Sequence, residues 1–160
     1  MRPQLQKHLF NDGSGVVGDC HRTCIAMILD LDRDEVPHFM EDVPYNLADG
    51  APECAAAEQA EREWLRSRGL VPVYWGYDGD TPLTTVLEVL TNTVRDCAVI
   101  LGCTSGNGVN HSVVFYNGGL YNPNDGTIAG PMRNGYWYVT AYAHATKPLH
   151  PTTDPATVVN

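Results

Sequence analysis

The spacing of hydrophobic positions changes along the chain. Between residues 18 and 31, Cys20, Cys24, Met27, Ile28 and Leu31 fall at i, i+4, i+7, i+8 and i+11, one face of a helix. Gly18 and Asp19 stand where that helix begins, and Asp19 is the expected N-cap. A short helical turn is predicted over residues 33–39, with Pro37 near its end, and residues 41–54 read as a long Pro-, Asp-, Gly- and Asn-rich loop. Residues 55–68 (AAAEQAEREWLRSR) are dense in helix formers, and Gly69 suits the position just past a helix end. Residues 70–75 follow as a strand and 77–80 as a turn. Thr81 as N-cap and Pro82 at the first helical position then open a helix over 83–90, with apolar residues at 83, 86, 87 and 90.

After this point the period shortens. Residues 97–101 (CAVIL) form a continuous apolar run, the mark of a strand buried on both faces. Residues 104–110 (TSGNGVN) read as a loop, 111–116 as a strand, Asn117-Gly118-Gly119 as a tight turn and 120–122 as the returning strand. Residues 135–142 (GYWYVTAY) give a last, aromatic strand. Mostly helices and then mostly strands predict an α+β protein, an antiparallel sheet with N-terminal helices packed on one side. A single domain over residues 1–146 is expected, with a frayed Pro/Thr-rich tail over 147–160 and no internal repeat.

Composition narrows the functional classes. In 160 residues, 43% are hydrophobic, which suits one domain with a real core and excludes intrinsic disorder. Ten Lys and Arg against nineteen Asp and Glu give a formal charge of -9, which argues against nucleic acid or an anionic membrane as the partner. No apolar run approaches the roughly 18 residues that cross a bilayer, and the start, MRPQLQKHLFNDG, lacks the apolar stretch of a secretory signal. The expected setting is cytoplasmic.

Five cysteines, an odd number, argue for reduced thiols rather than a disulfide framework. Each is then a buried small hydrophobe, a metal ligand or a nucleophile. Cys20 differs from the rest in position. It opens a helix, whose free N–H groups and positive dipole end favour a thiolate and stabilise an oxyanion formed when sulfur attacks a carbonyl. The Asp19 carboxylate opposes this if it points at the sulfur. A thiol nucleophile needs a base, and the base an orienting partner. His111 begins a strand after a glycine-bearing loop, and the hairpin brings Asn122 back beside it, where the amide oxygen accepts the imidazole N–H. Asn124 and Asp125 are alternatives for that role.

GDCHRTCIAMILDLDRDEVPHF, followed about ninety residues later by NHSVVFYNGGLYNP, resembles the papain-like thiol hydrolases. The similarity is greatest to small bacterial and bacteriophage members and to bacteriocin-processing peptidase domains. There a Gly-Asn/Asp-Cys opens the central helix, and a His-x-Val-Val strand is followed by one ending in Asp-Pro or Asn-Pro. The resemblance covers roughly residues 5 to 125 in the same element order. It implies a papain-like fold with Cys20 as nucleophile, His111 as general base and acid, and Asn122 as orienting residue. The family also places a glutamine upstream of the Cys in the oxyanion hole. This chain departs from that pattern: Ser14 stands at the usual spacing, while Gln6 reaches the site only if residues 11–17 loop out.

The expected function is hydrolysis of an amide bond in a peptide, isopeptide or other amide substrate through a Cys thioester, with no cofactor and no metal. Alternatives are acyl transfer or deamidation by the same triad, and a non-catalytic binding module. A zinc site is the rival chemistry, since Cys20-x3-Cys24 and Cys97-x5-Cys103 are loosely metal-like, although neither is a tight knuckle. Cys24 reads as core or as a redox partner of Cys20. His21 lies about 100° around the helix from Cys20 and reads as surface or pocket wall. The lone Gly106-x-Gly108 is too weak for a phosphate site. Trp75, Tyr136, Trp137 and Tyr138 divide between core and cleft by strand alternation.

Overall fold

The computed structural model describes residues 1–9, 18–43, 51–124 and 126–145. Three α-helices and six strands occur among them: α1 (Cys20–Leu29), α2 (Pro52–Ser67), β1 (Leu70–Asp78), α3 (Leu83–Thr93), β2 (Val99–Ser105), β3 (Asn110–Tyr116), β4 (Gly119–Tyr121), β5 (Ile128–Gly130) and β6 (Tyr136–His144). The strands form one sheet in the order β1-β6-β2-β3-β4, with β5 paired to β2, and every pairing is antiparallel. The chain is therefore an α+β protein. The tail over 147–160, Ser14 and Asp125 lie outside the described residues.

Side-chain alternation along β2 and β3 sorts the core into two clusters. Val99, Leu101 and Cys103 of β2 pack with Val113 and Phe115 of β3 and with Val86 and Leu90 of α3. Ile100 and Val114 point the other way, against Cys24, Ile25, Ala26 and Met27 of α1. Trp64 of α2 packs on that second cluster as well. The helices thus cover both faces: α1 and α2 one, α3 the other. This departs from the expectation of helices on one side. The period of α3 told which of its sides is apolar, but not which face of the sheet receives it.

Several boundaries moved. The helical turn after α1 shrinks to a 3-10 turn over Arg33–Glu35. Helix α2 begins at Pro52, inside the expected loop, because proline fits the first turn where its missing N–H is not needed. Pro82 rather than Thr81 is the residue preceding α3. Strand β1 continues to Asp78 because β6 pairs with it over its whole length. The three-residue β5 has no sequence signature. The hairpin between β3 and β4 holds as expected: Asn117 (φ 48°) and Gly118 (φ 76°) supply two consecutive positive φ angles, and Tyr116 pairs Gly119.

Candidate active site

Cys20 is the first residue of α1, and His111 the second of β3. Both line a cavity of about 1080 Å3, together with Gln6, His21, Ser112 and Asn124. Asn122 follows β4 immediately. Tyr121 pairs Val114, so continuing that register sets Asn122 opposite Val113, whose side chain shares a face with His111. The Asn122 amide is therefore a diagonal neighbour of the imidazole, and its Oδ1 lies 2.8 Å from His111 Nε2.

Two backbone groups fix which way that amide faces. The Asn124 N–H donates to Asn122 Oδ1 at 3.0 Å, and Asn122 Nδ2 donates to the Gly126 carbonyl at 2.6 Å. A flipped amide would face donor to donor and acceptor to acceptor. Asn122 Oδ1 is thus an acceptor, Nε2 of His111 carries the proton, and Nδ1 is left as the basic nitrogen. Burial lowers the His111 pKa, and the hydrogen bond it donates to Asn122 only partly offsets this, so the ring is neutral at pH 7. Asn124 serves the loop rather than the ring: its Oδ1 accepts the Gly126 N–H at 2.9 Å.

The Cys20 sulfur meets a different environment from the one its helix position suggested. Burial raises its pKa, and the Asp19 carboxylate adds to this, against the backbone N–H groups of Ser112, His21 and Cys20 itself. Burial prevails, and the resting group is a thiol. Among the described residues no hydrogen bond joins that thiol to the His111 ring, although the sulfur sits at the backbone N–H of Ser112, the next residue along β3. Cys24 and Cys103 are fully buried and their thiols are pushed up further, Cys103 to about 12, by burial first and by neighbouring sulfur second. All five cysteines are free.

Asp19 does not cap α1 with its side chain. Its Oδ1 instead accepts the N–H groups of Lys7 and His8, each at 3.0 Å. The N-terminal segment is thereby drawn against the start of α1. Gln6 reaches the cavity wall, with its N–H on the Pro123 carbonyl at 2.8 Å and its Nε2 on the His8 carbonyl at 2.8 Å.

A partly buried pair escaped the sequence reading. His21 Nε2 lies 3.1 Å from Glu61 Oε2, and its Nδ1 lies 3.4 Å from Ser112 Oγ. Burial alone would lower the His21 pKa and raise that of Glu61. The charge of each partner and the hydrogen bond between them outweigh it, so His21 is raised and Glu61 lowered. One signal was available: Glu61 interrupts the buried stripe Ala57, Glu61, Leu65 on α2. An acid at the centre of such a stripe requires a partner.

The aromatic residues divide as alternation requires. Trp137 is core and donates to the Thr81 carbonyl at 3.0 Å, Trp75 packs beside it, Tyr138 lines the cavity and Tyr136 is half exposed. Among the described residues no three His, Cys, Asp or Glu side chains converge as metal ligands, and no helix is long and apolar enough to cross a membrane. The chain matches no protein-family model, no curated protein and no solved structure.

Proposed function

We propose that this protein is a papain-like cysteine hydrolase that cleaves an amide bond of a peptide, isopeptide or other amide substrate through a thioester on Cys20. The observation that carries this reading is the fixed amide of Asn122. It commits His111 to the tautomer with Nδ1 free, on the wall of the cavity that also holds Cys20. A neutral imidazole and a neutral thiol lining one cavity are the components of a general-base pair.

In the proposed reaction His111 Nδ1 takes the Cys20 proton as sulfur adds to the substrate carbonyl. The Cys20 backbone N–H and the second N–H of the Gln6 amide, whose first is on His8, hold the developing oxyanion. The imidazolium then protonates the leaving amine, which departs as the thioester forms. Water attacks that thioester with Nδ1 again as base, and Asn122 keeps the ring oriented through both halves.

The test is mass-spectrometric labelling with iodoacetamide and turnover of a peptide and amide library. Cys20 labels faster than the half-buried Cys54 and Cys97, His111→Ala slows Cys20 alone, and Cys20→Ala abolishes turnover. Uniform labelling with no turnover by the wild-type protein identifies a non-catalytic binding module instead.

A further inference from the structure

The residue before the nucleophile is 1% exposed and carries a charge. The Asp19 carboxylate has its Oδ2 3.6 Å from Arg33 Nε. Its Oδ1 holds two backbone N–H groups, and its own N–H returns a hydrogen bond to the His8 carbonyl at 3.2 Å. Arg33 also donates to the Leu5 carbonyl at 3.1 Å, and the Arg33 N–H to Gln4 Oε1 at 3.0 Å. Residues 7 and 8 are thus fastened to the start of α1 through the Asp19 carboxylate, and residues 4 and 5 to the turn after it through Arg33.

We propose that Asp19 is a positioning residue that holds Gln6 beside Cys20 as an oxyanion-hole donor. Two consequences of the clamp meet at the sulfur. Because the carboxylate binds residues 7 and 8, it does not occupy the first amides of α1 as a side-chain cap would, and the N–H groups of Cys20 and His21 turn toward the sulfur. At the same time Gln6 is pinned from both sides, by Asp19 through its neighbours and by the Pro123 carbonyl next to Asn122. Gln6 Oε1 is buried without a partner among the described residues. Leaving a buried acceptor unpaired is unfavourable, so the segment is held there against a local penalty. The two N–H groups on Asp19 Oδ1 act against that penalty, although Asp19 Oδ2 is itself buried with no hydrogen bond among the described residues.

The proposal rests on the hydrolase reading, and its test separates the two. Iodoacetamide alkylation proceeds without an oxyanion, whereas acylation by p-nitrophenyl acetate forms one. Gln6→Ala slows acylation by about 10²-fold to 10³-fold, the usual loss of one oxyanion donor. Asp19→Ala slows it by the same factor and the double variant is no slower than either single one. Gln6→Ala keeps the wild-type alkylation rate, and Asp19→Ala and the double variant alkylate at least as fast as wild type, because the Asp19 charge they lack opposes the thiolate. Asp19→Asn, which retains the Oδ1 acceptor, brings acylation back to within about tenfold of wild type. Hydrogen exchange at the Lys7 and His8 amides accelerates in Asp19→Ala and not in Gln6→Ala. Multiplicative losses in the double variant, or alkylation slowed as much as acylation, overturn the positioning role. Absence of acylation in the wild-type protein sinks the hydrolase reading and the catalytic role of Gln6 with it, while faster exchange at Lys7 and His8 still reports the clamp itself.

Discussion

His111 and Asn122 are joined by a hydrogen bond whose direction is set by backbone groups rather than by either side chain. The imidazole therefore has one available basic nitrogen. Removing the amide in Asn122→Ala leaves a buried N–H unpaired, a loss of about 1–3 kcal/mol or roughly tenfold to a hundredfold in rate. Asn122→Asp keeps an acceptor and retains more of the activity. The comparison is made on kcat/KM, with the His111 ring followed by NMR: Asn122→Ala populates the other tautomer, and Asn122→Asp does not. Equal tautomer populations in all three proteins would falsify the orienting role.

The resting thiol gives a distinct pH dependence. The Cys20 pKa lies above its ordinary 9.0 and that of His111 below its ordinary 6.5, each chiefly through burial. No thiolate absorbance is expected near pH 7. Acylation rises as pH increases through the lowered His111 pKa, because only the neutral ring accepts the thiol proton, and stays high up to the Cys20 ionisation. Folding is linked in the same sense. The unfolded chain binds a proton at His111 that the folded one refuses, so stability falls as pH drops through the window just below 6.5. His111→Gln removes that portion of the acid sensitivity. A thiolate band present at neutral pH would show that a preformed ion pair operates instead.

What could be read in advance followed how local each signal was. Cys20 was placed because a stripe of five apolar positions phases one helix, and the break at Gly18 sets its start. Asn122 was placed because Asn117-Gly118 fixes the hairpin register over the few residues back to His111. The Asp19 carboxylate was misjudged: its type and position satisfied the N-cap rule, but Lys7 and His8, 12 and 11 residues earlier in the chain, take it. His21 and Glu61 stayed unconnected for a related reason. Their contact depends on how α1 and α2 pack, which neither helix's own period determines. Long-range partnerships between polar groups were the illegible part.

Gly79 marks a place where backbone meets backbone. Its N–H donates to the Gly135 carbonyl at 2.8 Å, and a Cβ added there would overlap that same oxygen. No side chain can rotate away to relieve it. Gly79→Ala therefore separates the loop after β1 from the turn before β6 and destabilises by about 1–3 kcal/mol. Since Gly79 is not among the cavity-lining residues, the iodoacetamide rate of Cys20 stays at the wild-type value below the melting transition. Thermal unfolding checks the first expectation and labelling the second. A variant with unchanged Tm would mean that the two turns separate at no cost.

The His21–Glu61 pair should confer stability within a pH window. The folded Glu61 pKa is below its ordinary 4.5, so its contribution is complete above that value and lost as pH falls through the lowered one. The folded His21 pKa is above its ordinary 6.5, so its contribution is complete below 6.5 and lost as pH rises through the raised one. Both hold together between about 4.5 and 6.5. Water reaches the imidazole, whose side chain is 35% exposed against 11% for Glu61, and screens the pair. Glu61→Gln accordingly costs about 1–2 kcal/mol inside that window, less on either side, and moves the His21 titration down. Denaturant unfolding at several pH values, with NMR titration of the His21 ring, measures both. A loss that is the same at every pH would mean that Glu61 acts by packing on α2 rather than by charge.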